Sequence, residues 1–246
     1  MIYAWSIPVW DNGKILMLDY PYDSNTLKQV INEVLARKDY SPGLDYIKGI
    51  ENPVVLDLGA YIGITALYFS SHKGTKIYAV EPHPESFNSL VINMKNYPNV
   101  VPINYAVGMT EETRFIAQAK DTIGMTLFGK PEDTRFAVKA VSIKTLFDEY
   151  KIDHVDMMKI DVENAEFEIF LSEGFDAVKD KIDYIIGEAH NDIMPYQAVK
   201  AILEEKGFKV KFLPMENVIS SYNFKVNGKM KSLDIQLQTM FIARRV

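Results

Sequence analysis

The chain has no cysteine in 246 residues. That absence removes disulfide frameworks, thiol nucleophiles and thiolate zinc sites together. No apolar run approaches the roughly 20 residues of a membrane span. The opening "MIYAWSIPVWDNGK" lacks the basic start and long apolar core of a secretory signal, so the cytoplasm is the expected location. An excess of basic residues is also missing. With 27 Lys and Arg against 33 Asp and Glu, the net charge of -6 argues against a surface dedicated to phosphate backbones, and nucleic acid is not an expected partner. Lys225, Lys229, Lys231, Arg244 and Arg245 are read as a solvated basic face. Repeats, heptads and low-complexity tracts are absent as well.

What is present suits a globular protein: 48% of residues are hydrophobic and 24% charged, enough to bury a core unaided. Asn12-Gly13 between two apolar-rich runs predicts a hairpin over residues 2–20. A helix is expected from Ser24 as N-cap, with Leu27, Val30, Ile31, Val34 and Leu35 at helical spacing. "DYSPGLDY", residues 39–46, reads as a loop. Residues 1–50 thus form an extension, and 51–246 the main domain.

Regular alternation follows, with strands at 53–58, 76–81 and 100–105 separated by helices at 63–72 and 84–96. It resumes with helix 142–150, strand 155–160, helix 163–172, strand 182–188, helix 194–206, strand 208–213 and a strand at 236–244. Such alternation predicts an α/β fold, a parallel sheet with helices on both faces. Residues 107–141 break the rhythm as a small β insertion containing "TRFIAQA", "MTLFG" and "RFAVKAVSI". "FKVNGKMKS" carries a second Asn-Gly signal, so residues 220–244 are expected as an antiparallel ending.

The chemistry collects where strands end. "VVLDLGAYIG" closes a strand with Asp57 before a turn containing Gly59, Ala60, Tyr61 and Gly63. Glu81 closes the next in "IYAVEPHPES", Asp161 the fourth in "MKIDVENAEFEIF", and Glu188 the fifth in "IIGEAHND". In open α/β sheets ligands bind at that carboxyl edge. A carboxylate at the end of the second strand can accept both hydroxyls of a ribose, which gives Glu81 a role. The turn is not the G-x-G-x-x-G of a pyrophosphate binder. His83 stands between two prolines, and a surface-loop position is an equal alternative to a ligand contact.

Within "KIDVENAE", first-turn carboxylates favour a helix N-terminus, which accounts for Glu166. Asp161 is the better site candidate, with Glu163 next. Lys159 is expected on another face, as a buried pair partner or a substrate contact. His190, expected with Glu188 in a loop over residues 187–192, suits a general base because imidazole titrates near neutrality; a helix-capping loop is the other reading. These oxygen and imidazole groups suit a divalent cation by type, but their spacing establishes no metal site and none is assigned. Tyr3, Trp5, Trp10, Tyr20 and Tyr22 are read as core or as a substrate lid.

Asp57-x-Gly59-x-x-x-Gly63 followed by Glu81 resembles the S-adenosylmethionine-binding half of class I methyltransferases. "MKIDVENAEFEIF", with "VSIKTLFDEY" before it and "IIGEAHND" after it, resembles more narrowly the FkbM-type methyltransferases over residues 52–190. This chain has Tyr61 where that family commonly has Asn, and Asn164 where it commonly has Gly. The resemblance implies a Rossmann-like sheet of seven strands, the last antiparallel, with S-adenosylmethionine across its carboxyl edge. It also implies that Asp57 orients the turn, that Gly59 to Gly63 pass under the methionine portion, that Glu81 binds the ribose and that His83 lies near the adenine. O-methylation of a hydroxyl on a small molecule or sugar is then expected, with His190, Asp161 and Glu188 as candidate bases in that order. A nucleic-acid methyltransferase, an NAD-linked oxidoreductase and a non-catalytic cofactor-binding module are the alternatives.

Overall fold

The computed structural model describes residues 3–9, 14–20, 24–117, 134–190, 195–213, 219–226, 229–236 and 238–246, with side chains over 27–116, 136–190, 195–213 and 239–246. β1 (Tyr3–Val9) and β2 (Lys14–Tyr20) pair antiparallel with Val9 opposite Lys14, so the expected hairpin is present. Side chains of the expected aromatic lid lie outside the described residues. α1 (Ser24–Ile31) begins at Ser24 itself and runs into a π-helical turn, Asn32–Ala36, with Leu27, Val34 and Leu35 buried.

The stretch read as a loop is instead a helix, α2 (Ser41–Ile47). Pro42 stands in its first turn, where a missing N–H costs no hydrogen bond and the fixed φ suits a helix. Leu44 and Ile47, three apart, are buried. A side chain at Gly43 would stand 2.6 Å from the Met157 sulfur, so α2 lies directly on the sheet.

Beyond it come β3 (Val54–Leu58), α3 (Ile64–Phe69), β4 (Lys76–Val80), α4 (Pro84–Met94) and β5 (Val100–Ile103). The insertion supplies β6 (Ala106–Gly108), β7 (Glu112–Ala117) and β8 (Thr134–Ser142), a separate sheet ordered β6-β8-β7. The strand expected at "MTLFG" lies outside the described residues. α5 (Ile143–Glu149), β9 (Val155–Ile160), α6 (Glu166–Leu171), α7 (Glu173–Val178) and β10 (Ile182–His190) follow. The chain then forms α8 (Gln197–Glu205), β11 (Phe208–Leu213), β12 (Ile219–Val226), β13 (Lys229–Gln236) and β14 (Gln238–Arg245). Most boundaries fall within a few residues of those expected. The antiparallel ending divides, because β12 and β13 pair only with each other while β14 joins the main sheet.

That sheet has seven strands in the order β11-β14-β10-β9-β3-β4-β5. All run parallel except β14, which is antiparallel to both β10 and β11. Alternation along each strand divides the core in two. Leu56, Leu58, Tyr78, Met158, Ile160 and Ile185 pack on one face; Val55, Ile77, Met157, Tyr184 and Ile186 pack on the other, with α2 and α3. In that period of two, Asp57, Glu81, Asp161 and Glu188 fall in step with the second set. One sheet face, the one covered by the N-terminal segment, therefore carries the carboxylates to the edge.

Gly187 allows β9 and β10 to lie close, since a Cβ there would stand 2.3 Å from the Ile160 carbonyl oxygen. Gly207, by contrast, has positive φ, at 90°, and nothing lies within 4 Å of its Cβ position. Gly187→Ala is expected to cost about 3 kcal/mol through overpacking against backbone, and Gly207→Ala only about 1–2 kcal/mol through backbone strain. Urea unfolding of the two variants checks this; equal losses would contradict it.

Candidate active site

The turn after β3 is built from left-handed residues: Gly59 at φ 78°, Tyr61 at 52° and Gly63 at 94°. Gly59 has no substitute, because a Cβ would stand 1.8 Å from the Asp161 carbonyl oxygen. The amides of Gly59 and Ala60 donate to the Val80 carbonyl at 3.0 and 2.9 Å, stitching the turn to β4. A β-carbon at positive φ costs about 1–2 kcal/mol. Tyr61 accepts that strain while its amide donates to Glu81 Oε2 at 2.9 Å.

Glu81 is buried, and its Oε1 accepts from the His83 amide at 2.8 Å. One carboxylate thus ties the glycine turn to the turn after β4, and each oxygen retains a second lone pair for a ligand hydroxyl. Burial raises its pKa to about 7 despite the two amide bonds. His83 is likewise buried, which replaces the surface-loop alternative. Its ring caps α4, accepting from the Ser86 amide at 3.4 Å, and meets Phe136 edge-on at 4.8 Å.

Asp57 on β3 stands opposite Lys159 on β9. Lys159 is two residues before Asp161, so the two share a face rather than opposing one another as expected. Its buried ammonium donates to the Gly59 carbonyl at 2.7 Å and lies 3.4 Å from Asp57 Oδ1 and 3.6 Å from Asp161 Oδ2. Burial opposes the charge, but Asp57, Asp161 and Glu188 outweigh it and hold the lysine pKa above its ordinary value. Asp57 Oδ2 accepts from Thr65 Oγ1 at 2.5 Å, which anchors the turn to α3. Burial, offset in part by Lys159 and Thr65, raises the Asp57 pKa.

Tyr40, missed when its segment was read as a loop, reaches the same edge. Its hydroxyl lies 3.4 Å from both Asp161 Oδ2 and Glu188 Oε1, and its ring is 5.8 Å from the Lys159 ammonium. Burial, with Asp161 and Glu188 beside it, pushes the phenol pKa well up, so Tyr40 donates.

β10 continues through His190, which corrects the expected loop: Glu188 and His190 are same-face strand positions, while Asn191 and Asp192 lie outside the described residues. His190 Nδ1 is 3.0 Å from Glu166 Oε1, and Nε2 is 3.5 Å from Glu163 Oε2. Glu166, expected only to favour a helix end, is fully buried and also accepts from the Val162 amide at 3.0 Å. Its Oε2 has no hydrogen-bond partner among the described residues. No signal in sequence spacing pairs residues 166 and 190.

Burial opposes protonation of His190, but the bond to Glu166 and the charges of Glu166, Glu163 and Asp161 prevail, raising its pKa to about 10. The two carboxylates thus favour its imidazolium form, the form that donates to them. Burial raises Glu163 to about 7, with His190 acting against the rise, while burial and Asp161 hold Glu188 well above the carboxylate range. Asp161, Glu166 and His190 each bring an oxygen or nitrogen within 4.8 Å of the others, and within this group His190 pairs with Glu166 while Asp161 pairs with Lys159.

Residues 57–210 match the family model described as the methyltransferase FkbM domain. The chain is 24% identical over 192 residues to the hexuronic acid methyltransferase AglP of Haloferax volcanii, covering 75% of this chain and 78% of that protein. It is 26% identical over 195 residues to the methyltransferase sdnD of Sordaria araneosa, covering 65% of this chain and 74% of that protein. A solved precorrin-6Y C5,15-methyltransferase from Geobacter metallireducens superimposes with a TM-score of 0.48 at 14% identity, over 85% of this chain and 89% of that one. No helix among the described residues is long and apolar enough to cross a membrane.

Two outcomes are expected. Lys159→Met leaves buried Asp57 without its counter-charge, a loss of about 3–5 kcal/mol readable by denaturant unfolding. Stability of the ligand-free protein falls as pH rises. Glu81 and Glu163 bind protons in the folded state up to about 7, above the ordinary glutamate value of 4.5, so their contribution declines across that interval. The stabilisation from His190 is complete below the ordinary histidine value of 6.5 and is lost as pH rises through about 10. Thermal melts from about pH 5 to about pH 9 read the trend, and a steady rise would contradict it.

Proposed function

The chain belongs to the FkbM methyltransferase family, and from that premise we propose that it transfers a methyl group from S-adenosylmethionine to an oxygen of a small molecule or sugar. The observation that carries the cofactor assignment is electrostatic. Asp57, Glu81, Asp161, Glu163, Glu166 and Glu188 meet around one left-handed turn, where Lys159 and His190 are already paired to carboxylates. Such an edge repels a pyrophosphate and attracts a cation. That favours a sulfonium nucleoside over NAD.

The donor set fits the cofactor. Glu81 would accept from the ribose hydroxyls, with His83 beside the base. Gly59, Ala60, Tyr61 and Gly63 would line the methionine portion, and Asp57 and Asp161 would face its positive charges. When bound, the cofactor supplies an activated methyl group; the protein aligns the acceptor and accepts its proton. A sugar acceptor is supported by the name of the Haloferax relative. The rivals separate by binding: an oxidoreductase would take NAD, and a nucleic-acid enzyme would bind RNA or DNA in a salt-dependent way.

Isothermal titration is expected to give heat with S-adenosylhomocysteine and none with NAD; the reverse would sink the proposal. Glu81→Ala should weaken S-adenosylhomocysteine about 10- to 100-fold, the scale of lost hydrogen bonds to a charged group. Unchanged affinity would remove Glu81 from the ribose site.

A further inference from the structure

We propose that Glu163 is the catalytic base of this site and that Glu166 and His190 position it. The proposal rests on the methyltransferase reading above. The three side chains form a line from interior to surface, Glu166 at 0% exposure, His190 at 7% and Glu163 at 35%. Glu166 fixes one ring nitrogen of His190 at 3.0 Å, and the other nitrogen faces Glu163 at 3.5 Å. A buried carboxylate orienting an imidazole that in turn faces a half-buried carboxylate is the logic of a relay.

The backbone points the same way. Glu163 and Asn164 are consecutive left-handed residues, at φ 52° and 79°, between β9 and α6. Glycine would sit there without strain. A glutamate at such a position carries a backbone strain that a functional side chain would account for.

The other carboxylates and donors at the edge are otherwise committed. Tyr40 is buried against Asp161 and Glu188, Lys159 is buried between Asp57 and Asp161, and Asp161 faces both Tyr40 and Lys159. His190 is held by Glu166 on one ring nitrogen and faces Glu163 with the other. Four charged groups act on Glu163: His190 and Lys159 favour its anion, Asp161 and Glu166 its neutral form. With burial, the balance lies at about 7, matched to a base that works near neutral pH. In the step itself, an acceptor oxygen forms the new C–O bond as the sulfur–methyl bond breaks and its electron pair stays on sulfur. The hydroxyl proton passes to a Glu163 oxygen and leaves through its exposed edge.

The first test needs no acceptor. Carbon-13 NMR of glutamate-labelled protein should show one side-chain carboxyl titrating near 7 that is absent from Glu163→Gln. Nitrogen-15 spectra should show the His190 pKa falling in that variant, because an anionic neighbour is gone. A Glu163 that titrates in the ordinary glutamate range of about 4.3, or a His190 indifferent to Glu163→Gln, would overturn the proposal. Turnover on hexuronic acid and neutral sugar acceptors is the second test. Glu163→Gln should keep S-adenosylhomocysteine affinity within about twofold and lose about 10²–10⁴ in kcat, with partial recovery in Glu163→Asp. Full activity in Glu163→Gln would overturn the assignment. Glu166→Gln should shift the acid limb of the pH profile, since the Glu166 charge and the His190 charge it sustains both act on Glu163; an unmoved limb would overturn its positioning role. If wild-type protein fails to bind S-adenosylhomocysteine, the methyltransferase reading fails instead, and the NMR result stands apart from it.

Discussion

A buried ammonium sits where the ends of two neighbouring strands meet. Lys159 joins the Gly59 carbonyl, the Asp57 carboxylate opposite it and Asp161 at the end of its own strand. Two carboxylates and a carbonyl could not share that volume without it, since their mutual repulsion and desolvation would be uncompensated. With it, the turn after β3 and the turn after β9 become one wall, close enough that Gly59 packs on the Asp161 backbone. Glu81 repeats the device on the other side with two backbone amides in place of a cation. The edge is thus preorganised by the same charges that a ligand would meet.

The parts legible in sequence were those governed by local rules. Strand ends at Asp57, Glu81 and Asp161 follow from apolar runs that stop at a charge, and the Gly59 turn follows from conformations few side chains tolerate. Tyr40, Glu166 and the true face of Lys159 were not legible. Tyr40 reaches the edge only because α2 packs on β9 and β10, and a Ser-Pro-Gly stretch carries a turn signal as strong as its helix signal. Glu166, at the start of α6, meets His190 at the end of β10, a pairing set by sheet order and by no spacing in the chain. His190 looked like a base because an isolated imidazole titrates near neutrality. Two adjacent carboxylates, unseen in one dimension, change its proton affinity.

Stability and chemistry pull against each other at this edge. Burial lifts Glu81 and Glu163 to about 7 and raises Glu188 well above its ordinary value. Carboxyl groups held there are worth less to the folded state than solvated ones. The cost is local, because the two apolar faces of the sheet supply the cohesion that permits it. A site able to bind a cation and to exchange a proton near neutral pH is what that cohesion supports.

The placement of β14 carries a consequence for biosynthesis. It is the last of the seven strands in the chain, yet it lies between β10 and β11 and hydrogen-bonds to both. Until it emerges from the ribosome, the strand bearing Glu188 and His190 has an unpaired edge. Such an edge invites pairing with other nascent chains. The backbone edge of the strand that carries Glu188 and His190 therefore stays open until β14 is made, and a chaperone that shields strand edges would find β10 and β11 as its targets.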